Sequence, residues 1–230
     1  MTQKLDKCFK NMLINKLIIL NAGHDTIRDP GAITQFGKEI DFNIKIRDAL
    51  IPQLIEQGFK VISVPDDLNL KESIKFVNKY THNINDGLGL SIHCNTGGGE
   101  GAETFYFKYN QTSRDIAKKL IDTYCQETGL KNRGAKSDTL TRHKQLGWIR
   151  KTNVWSVLIE AGFLDSIYDV NKLRDCEKIA RGICKGVNAV YNIPYIEPRN
   201  NNEKEPELEE NKKSGALVEI IQILKKYKFI

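Results

Sequence analysis

The chain has 230 residues, 40% of them apolar and 28% charged, with 35 Lys+Arg against 29 Asp+Glu for a formal net charge of +6. This composition excludes collagen-like, mucin-like and wholly disordered chains, and the length allows one sizeable α/β domain with a small appendage. From Glu197 onward seven acidic residues meet seven basic ones, so the whole basic excess lies in the first 196 residues and is too mild to choose among anionic partners.

The five cysteines, Cys8, Cys94, Cys125, Cys176 and Cys184, are odd in number and form no CxxC pair. Neither a disulfide framework nor a cysteine-based structural zinc site is expected, and free thiols point to folding in a reducing compartment. In residues 1–20 Asn11, Asn15 and Lys16 interrupt the apolar run and no small-x-small site follows, so no secretory signal peptide is predicted. No stretch of about 18 apolar residues occurs, so no membrane insertion is predicted either.

In chain order, Leu17–Leu20 is a short β-rich run ending at Asn21-Ala22-Gly23, a buried strand followed by a tight turn. Ile40, Ile44, Ile51, Leu54 and Ile55 share a helical face that Gly58 terminates. Lys60–Val64 is a second strand closed by Pro65, followed by a helix near Lys71–Ile84. Leu88–Cys94 is a third strand. Gly97-Gly98-Gly99-Glu100-Gly101 forms a loop that lacks the Lys-Ser/Thr of a phosphate-binding loop and reads as flexible. Ala102–Phe107 is a fourth strand. Ile116, Ala117, Leu120, Ile121, Tyr124 and Cys125 make a helical stripe ending at Gly129. Trp155–Ile159 is another strand, and Ile179 to Val190 carries the last helical stripe of the domain. Strands alternating with helices of ten or more residues predict an α/β fold with a mostly parallel sheet and helices on both faces, its chemistry gathered at the carboxyl ends of the strands.

The predicted segmentation is an N-terminal extension over residues 1–15, a catalytic domain over 16–194, a polar linker over 195–215 and a short C-terminal amphipathic helical segment over 216–230. That last segment carries Leu217, Ile220, Ile221, Leu224 and Tyr227 on one face. A helix so short is marginal alone, which makes it a candidate for docking or self-association.

Four residues stand where predicted elements meet: His24 after the first strand, His93 ending the third, Glu160 ending the Trp155–Ile159 strand, and Glu39 opening the first helix. Any one of them alone is better read as an ordinary polar residue. Together, two histidines and a carboxylate at one rim are costly to bury unpaired, and a divalent metal is a natural partner. A His₂Glu set leaves a fourth tetrahedral position for water, as catalytic rather than structural zinc requires, and zinc lowers water's pKa to roughly 7. A further carboxylate can then take the water proton and give it to a leaving amine. Cys94 alternates with His93 along the strand, so it is read as core.

The ordered run Gly23-His24, Asp29-Pro30-Gly31-Ala32, Gly37-Lys38-Glu39 with Asn43, Ser91-Ile92-His93-Cys94-Asn95, Gly101-Ala102-Glu103, Asn132-Arg133-Gly134 and Val157 to Leu164 resembles the zinc-dependent N-acetylmuramoyl-L-alanine amidases of the Amidase_3 type over about Lys16 to Ile193. The resemblance implies a twisted six-stranded sheet flanked by helices. It implies His24, Glu39 and His93 as zinc ligands, Glu160 as the catalytic glutamate, and hydrolysis of the amide between N-acetylmuramic acid and L-alanine in bacterial peptidoglycan. Arg133 and Asn95 are candidate substrate contacts, and Glu103 is read as structural or as support for a ligand. The sequence departs from the family's habit at Val64-Pro65-Asp66-Asp67 and at Thr152 to Ser156. No nucleic-acid partner is implied. The expected setting is a phage or prophage endolysin made in the cytoplasm and released to the wall, with a sporulation or mother-cell-lysis enzyme also compatible. A non-catalytic wall-binding module and a zinc peptidase acting within the stem peptide are the competing classes.

Overall fold

The computed structural model describes residues 16–81, 87–141 and 144–198. The chain divides into two units, Met1–Tyr195 and Ile196–Ile230. The N-terminal extension, the C-terminal amphipathic segment and most of the polar linker lie outside the described residues, as do His82 and His143.

The first unit is built on a six-stranded sheet with strands β1 (Leu17–Ala22), β4 (Lys60–Ser63), β5 (Leu88–Asn95), β6 (Ala102–Tyr106), β7 (Asn132–Ser137) and β8 (Trp155–Phe163), ordered β4-β1-β5-β8-β6-β7. The first four in that order run parallel. β6 is antiparallel to β8, and β7 is parallel to β6. The mostly parallel sheet of the α/β reading is therefore present, with one reversal. That reversal follows from chain length: only Thr96–Gly101 joins β5 to β6, too few residues for the crossover a parallel strand needs. A separate hairpin, β2 (Ile33–Thr34) with β3 (Gly37–Lys38), precedes the first helix.

Among the described residues six α-helices flank the sheet: α1 (Glu39–Glu56), α2 (Leu70–Tyr80), α3 (Gln111–Thr128), α4 (Gly147–Lys151), α5 (Ile167–Leu173) and α6 (Cys176–Val190). Alternation along the strands splits the interior into two cores. On one face Ile18, Leu20, Leu90, Ile92, Val157 and Ile159 pack against α1, α3 and α6. On the other Ile19, Leu158 and Phe105 pack against Val77 of α2 and Trp148 and Ile149 of α4. This second cover is the smaller, and the strand positions above it turn polar: Asn21 bonds Ser91 at 3.0 Å, and His93, Glu160 and Glu103 follow in the next row.

Local chemistry sets several boundaries. Asn69 caps α2 by accepting from Lys71 and Glu72 N–H while the Glu72 carboxylate accepts from Asn69 N–H. Gly129 closes α3 in the left-handed conformation. In α1 the buried face runs through Ile40, Asn43, Ile46, Arg47, Leu50 and Leu54, and Ile55 is exposed. The face is thus rotated from the apolar stripe of the sequence, because Asn43 and Arg47 turn inward to polar partners. Arg47, almost wholly buried, pairs with Asp66 and with Asp48. The Asp66 carbonyl in turn accepts from Thr26 N–H at 2.9 Å. The unusual Asp66-Asp67 pair after β4 therefore has a task, since it ties the loop beyond His24 to α1.

Candidate metal centre and catalytic carboxyl

His24 lies one residue past the Gly23 turn and holds a left-handed backbone, φ 73°. A non-glycine residue there carries strain on the order of 1–3 kcal/mol. The surroundings fix it: Gly23 N–H donates to Ile92 carbonyl and Asp25 N–H to Asp29 carbonyl, 2.8 and 2.9 Å. The ring stands between two carboxylates, with Nδ1 2.9 Å from Asp29 Oδ2 and Nε2 3.0 Å from Glu39 Oε2. Burial opposes a charge on His24, but the Glu39 and Asp29 carboxylates outweigh it and raise its pKa to about 9.

Glu39 is the first residue of α1, where the helix dipole favours an anion. It is 5% exposed and both oxygens are engaged. Oε2 accepts from Ala32 N–H at 3.0 Å and Oε1 from Cys94 N–H at 3.2 Å, while His93 Nδ1 lies 3.0 Å from Oε1. Burial alone would raise its pKa; the bonds to His24 and His93 prevail and hold it well below the usual carboxylate range. His93 lies within β5, and its ring fills the space a Cβ on Gly23 would need, its nearest atoms 2.1 Å from that position.

The three residues that sequence reasoning nominated as ligands are thus brought together, their donor atoms all within 4.8 Å of one another. Two imidazole nitrogens and a carboxylate oxygen suit zinc, so the residues present fit the ion the resemblance implies.

Glu160 is Cα partner to His93 across β5–β8 and to Glu103 across β8–β6. It sits inside β8, which runs on to Phe163, rather than at its end. Its Oε2 is buried and, among the described residues, has no hydrogen-bond partner. Burial, then repulsion from Glu39 and Glu103, pushes its pKa up to about 8. The sheet therefore presents a lateral row of donor cluster, unpartnered carboxyl and second carboxylate.

Asn95 and Arg133 both turn to Glu103. Asn95 Nδ2 donates to Glu103 Oε1 at 3.1 Å and Arg133 Nε to Oε2 at 2.9 Å. Sequence reasoning missed Asp29 as the partner of His24 and Lys136 as a second cation on Glu103. Asp29 stood in a quoted motif without a role; Lys136 gave no signal. The glycine loop is anchored rather than loose: Gly97 and Gly98 N–H donate to Asp165 Oδ2 and Gly101 N–H to Asp169 Oδ2, all at 2.7 Å. Beside the site, Ala32, Ile33, Thr34, Gln35, Thr96 and Asp165 line an open groove of about 550 Å³.

An α/β body with a His₂Glu cluster beside a buried acid defines a candidate metallohydrolase. The Amidase_3 family, N-acetylmuramoyl-L-alanine amidase, matches residues 18–189, and the chain belongs to it. An uncharacterised 38.4 kDa protein of Clostridium perfringens is 30% identical over 74% of this chain and 52% of its own length. A sporulation-specific N-acetylmuramoyl-L-alanine amidase of Bacillus subtilis is 30% identical over 45% of this chain and 40% of its own. The structure of the CwlD amidase of Clostridioides difficile, solved with the GerS lipoprotein, superposes with a TM-score of 0.66 at 29% identity, covering 77% of this chain and 99% of that one. The chain spans about half the length of the curated relatives it matches.

Proposed function

We propose that the protein is a zinc-dependent peptidoglycan amidase that cuts between N-acetylmuramic acid and the L-alanine of the stem peptide. One observation carries the reading: three donor atoms within 4.8 Å of one another, beside a buried carboxyl oxygen with no hydrogen-bond partner, in a chain of the amidase family. His24, Glu39 and His93 would hold the zinc, with Asp29 orienting the His24 ring through Nδ1. Bound there, zinc would supply Lewis-acid polarisation of the amide carbonyl and of a water. Glu160 takes the proton of the attacking water at its carboxylate and delivers it to the departing alanine nitrogen. Its buried oxygen, without a hydrogen-bond partner among the described residues, is free to take part in both halves of that transfer. The open groove leaves room for an extended polymer on the flank of the cluster.

Digestion of purified peptidoglycan, with and without chelator, tests the reading by mass spectrometry. Peptides beginning at L-alanine, produced only with zinc, are expected. New termini inside the stem peptide would make the protein a peptidase, and no cleavage under any loading would make it a wall-binding module.

For the setting, a phage or prophage lysin acting at the wall remains the proposal. The unbridged thiols of Cys94, Cys125, Cys176 and Cys184 suit synthesis in a reducing compartment. The likeness to the sporulation-specific amidase favours a second setting, in spore formation. Transcript timing separates them: induction with phage genes supports the first, induction on sporulation the second.

A further inference from the structure

Glu39, Asn43 and Arg47 stand four residues apart on α1, so their side chains rise from one face of the helix, and all three are buried. Each grips a different part of the turn that carries His24. Glu39 meets the ring itself, 3.0 Å from Nε2. One helical turn on, Asn43 Nδ2 donates to the Gly23 carbonyl at 3.2 Å, just before His24. A turn further, Arg47 closes on the Asp66 carboxylate with both Nη atoms, Nη2 lying 3.0 Å from Oδ2. The Asp66 carbonyl accepts from Thr26 N–H at 2.9 Å and from Thr26 Oγ1 at 3.2 Å, two residues beyond His24. The left-handed His24 backbone is therefore held on both sides by the helix that supplies the neighbouring ligand.

Stability alone does not account for the Arg47–Asp66 pair. Arg47 shares its helix face with Ile46 and Leu50 and its side chain is 7% exposed. Asp66 lies in Val64-Pro65-Asp66-Asp67, where the chain departs from the family's habit. A buried ion pair adds little net stability, because desolvation offsets the attraction, and apolar residues of similar volume pack as well. What a two-pronged guanidinium–carboxylate pair does supply is a fixed distance and plane. Resting on the metal centre of the amidase reading, we propose that Arg47 and Asp66 are positioning residues for the zinc ligand His24. They form a strut that acts through Thr26 and keeps the ring aimed at the place it shares with Glu39 and His93. Without the strut the loop after Gly23 can relax its left-handed residue, and the ring leaves that place. The strut supplies no ligand, so its loss costs metal affinity while the ligand set stays complete.

The test uses the full chain and three measurements: zinc affinity by competition with a chromophoric chelator, melting of the metal-free protein, and its amide hydrogen exchange. Arg47→Met combined with Asp66→Asn removes the pair without leaving a buried charge. This double variant should bind zinc about tenfold or more weakly, melt close to wild type, and exchange faster at the Thr26 amide. Ile46→Val, a loss of packing on the same helix, should do the reverse, melting lower and binding zinc as wild type does. Equal zinc affinity in wild type and the double variant overturns the strut alone, as does an equal loss of affinity in Ile46→Val. Zinc binding that depends on the pair, in a protein that cleaves no peptidoglycan, supports the strut and overturns only the amidase reading. A wild type that binds no zinc overturns the metal centre and the strut with it.

Discussion

A methyl group on Gly31 would stand 2.6 Å from His24 Cδ2 and 2.7 Å from Glu39 Oε2, on a backbone at φ +69° that side chains rarely adopt. Gly31→Ala is therefore expected to lower zinc affinity by at least about tenfold, read by competition with a chromophoric chelator, and to lower stability by about 1–3 kcal/mol. Glu160→Gln separates the two tasks of the site. It removes no donor to the metal, so zinc affinity by the same titration should stay near wild type, while turnover should fall by roughly 10²–10⁴. Normal turnover in that variant would remove Glu160 from the reaction. The legibility of these residues in sequence follows their chemistry. His24, His93 and Glu160 carry polar groups in or just after short apolar runs, a contrast visible without coordinates, whereas Glu39 opens the first helix and its place among the ligands came from the family resemblance. Asp29 and Lys136 lie in polar stretches, where one more charge stands out against nothing. Their partners, His24 and Glu103, are chosen by the turn geometry and by strand pairing.

Among the elements, those with a strong apolar period were readable: β1, β4, β5, β6, α3 and α6 stand where the pattern predicts them, and β8 begins there but runs on past Ile159 to Phe163. β7, Asn132–Ser137, is half-buried and polar, so it shows no alternation of hydrophobicity, and sequence reading passed over it. The two-residue strands of the β2–β3 hairpin and the short helices α4 and α5 are held by tertiary contacts at lengths where propensity says little. The direction of β6 was legible in principle, from the six residues Thr96–Gly101 alone. The packing of α3 on α6 offers a pH test. Glu127 accepts from Arg181 Nε at 2.7 Å and from Lys185 Nζ at 3.0 Å, and first the Arg181 bond, then Lys185, lowers its pKa. A lowered carboxyl pKa contributes stability above the unfolded value, about 4.3, and loses it as pH falls through the folded value. Glu127→Gln should accordingly melt below wild type at pH 7, by about 1 kcal/mol or less, and the gap should narrow toward pH 3. A gap that persists at low pH would assign the effect to packing.

At the scale of the whole molecule, the match to the family over residues 18–189 covers nearly all of the described α/β body. The two hydrophobic cores that pack the sheet contain none of the His24, Glu39 and His93 side chains. Chelation is therefore expected to abolish hydrolysis while leaving the far-ultraviolet circular dichroism spectrum intact. It should lower the melting temperature only by the amount that binding linkage removes, which at zinc concentrations of 100 Kd is about 2.7 kcal/mol. Complete unfolding on chelation would mean that the ion is structural. The reversal between β8 and β6 has its own consequence for how such a chain tolerates change. Glu103 faces Glu160 because those residues are directly paired, and side chains alternate along a strand. One residue gained or lost between Ala102 and Phe105 would turn the acid to the far face, offer Thr104 or Ala102 in its stead, and carry Phe105 out of its own core. The same change in the glycine stretch before β6 would break the bonds that tie Gly97 and Gly98 to Asp165 and Gly101 to Asp169, so that bend is fixed in length along with the strand behind it.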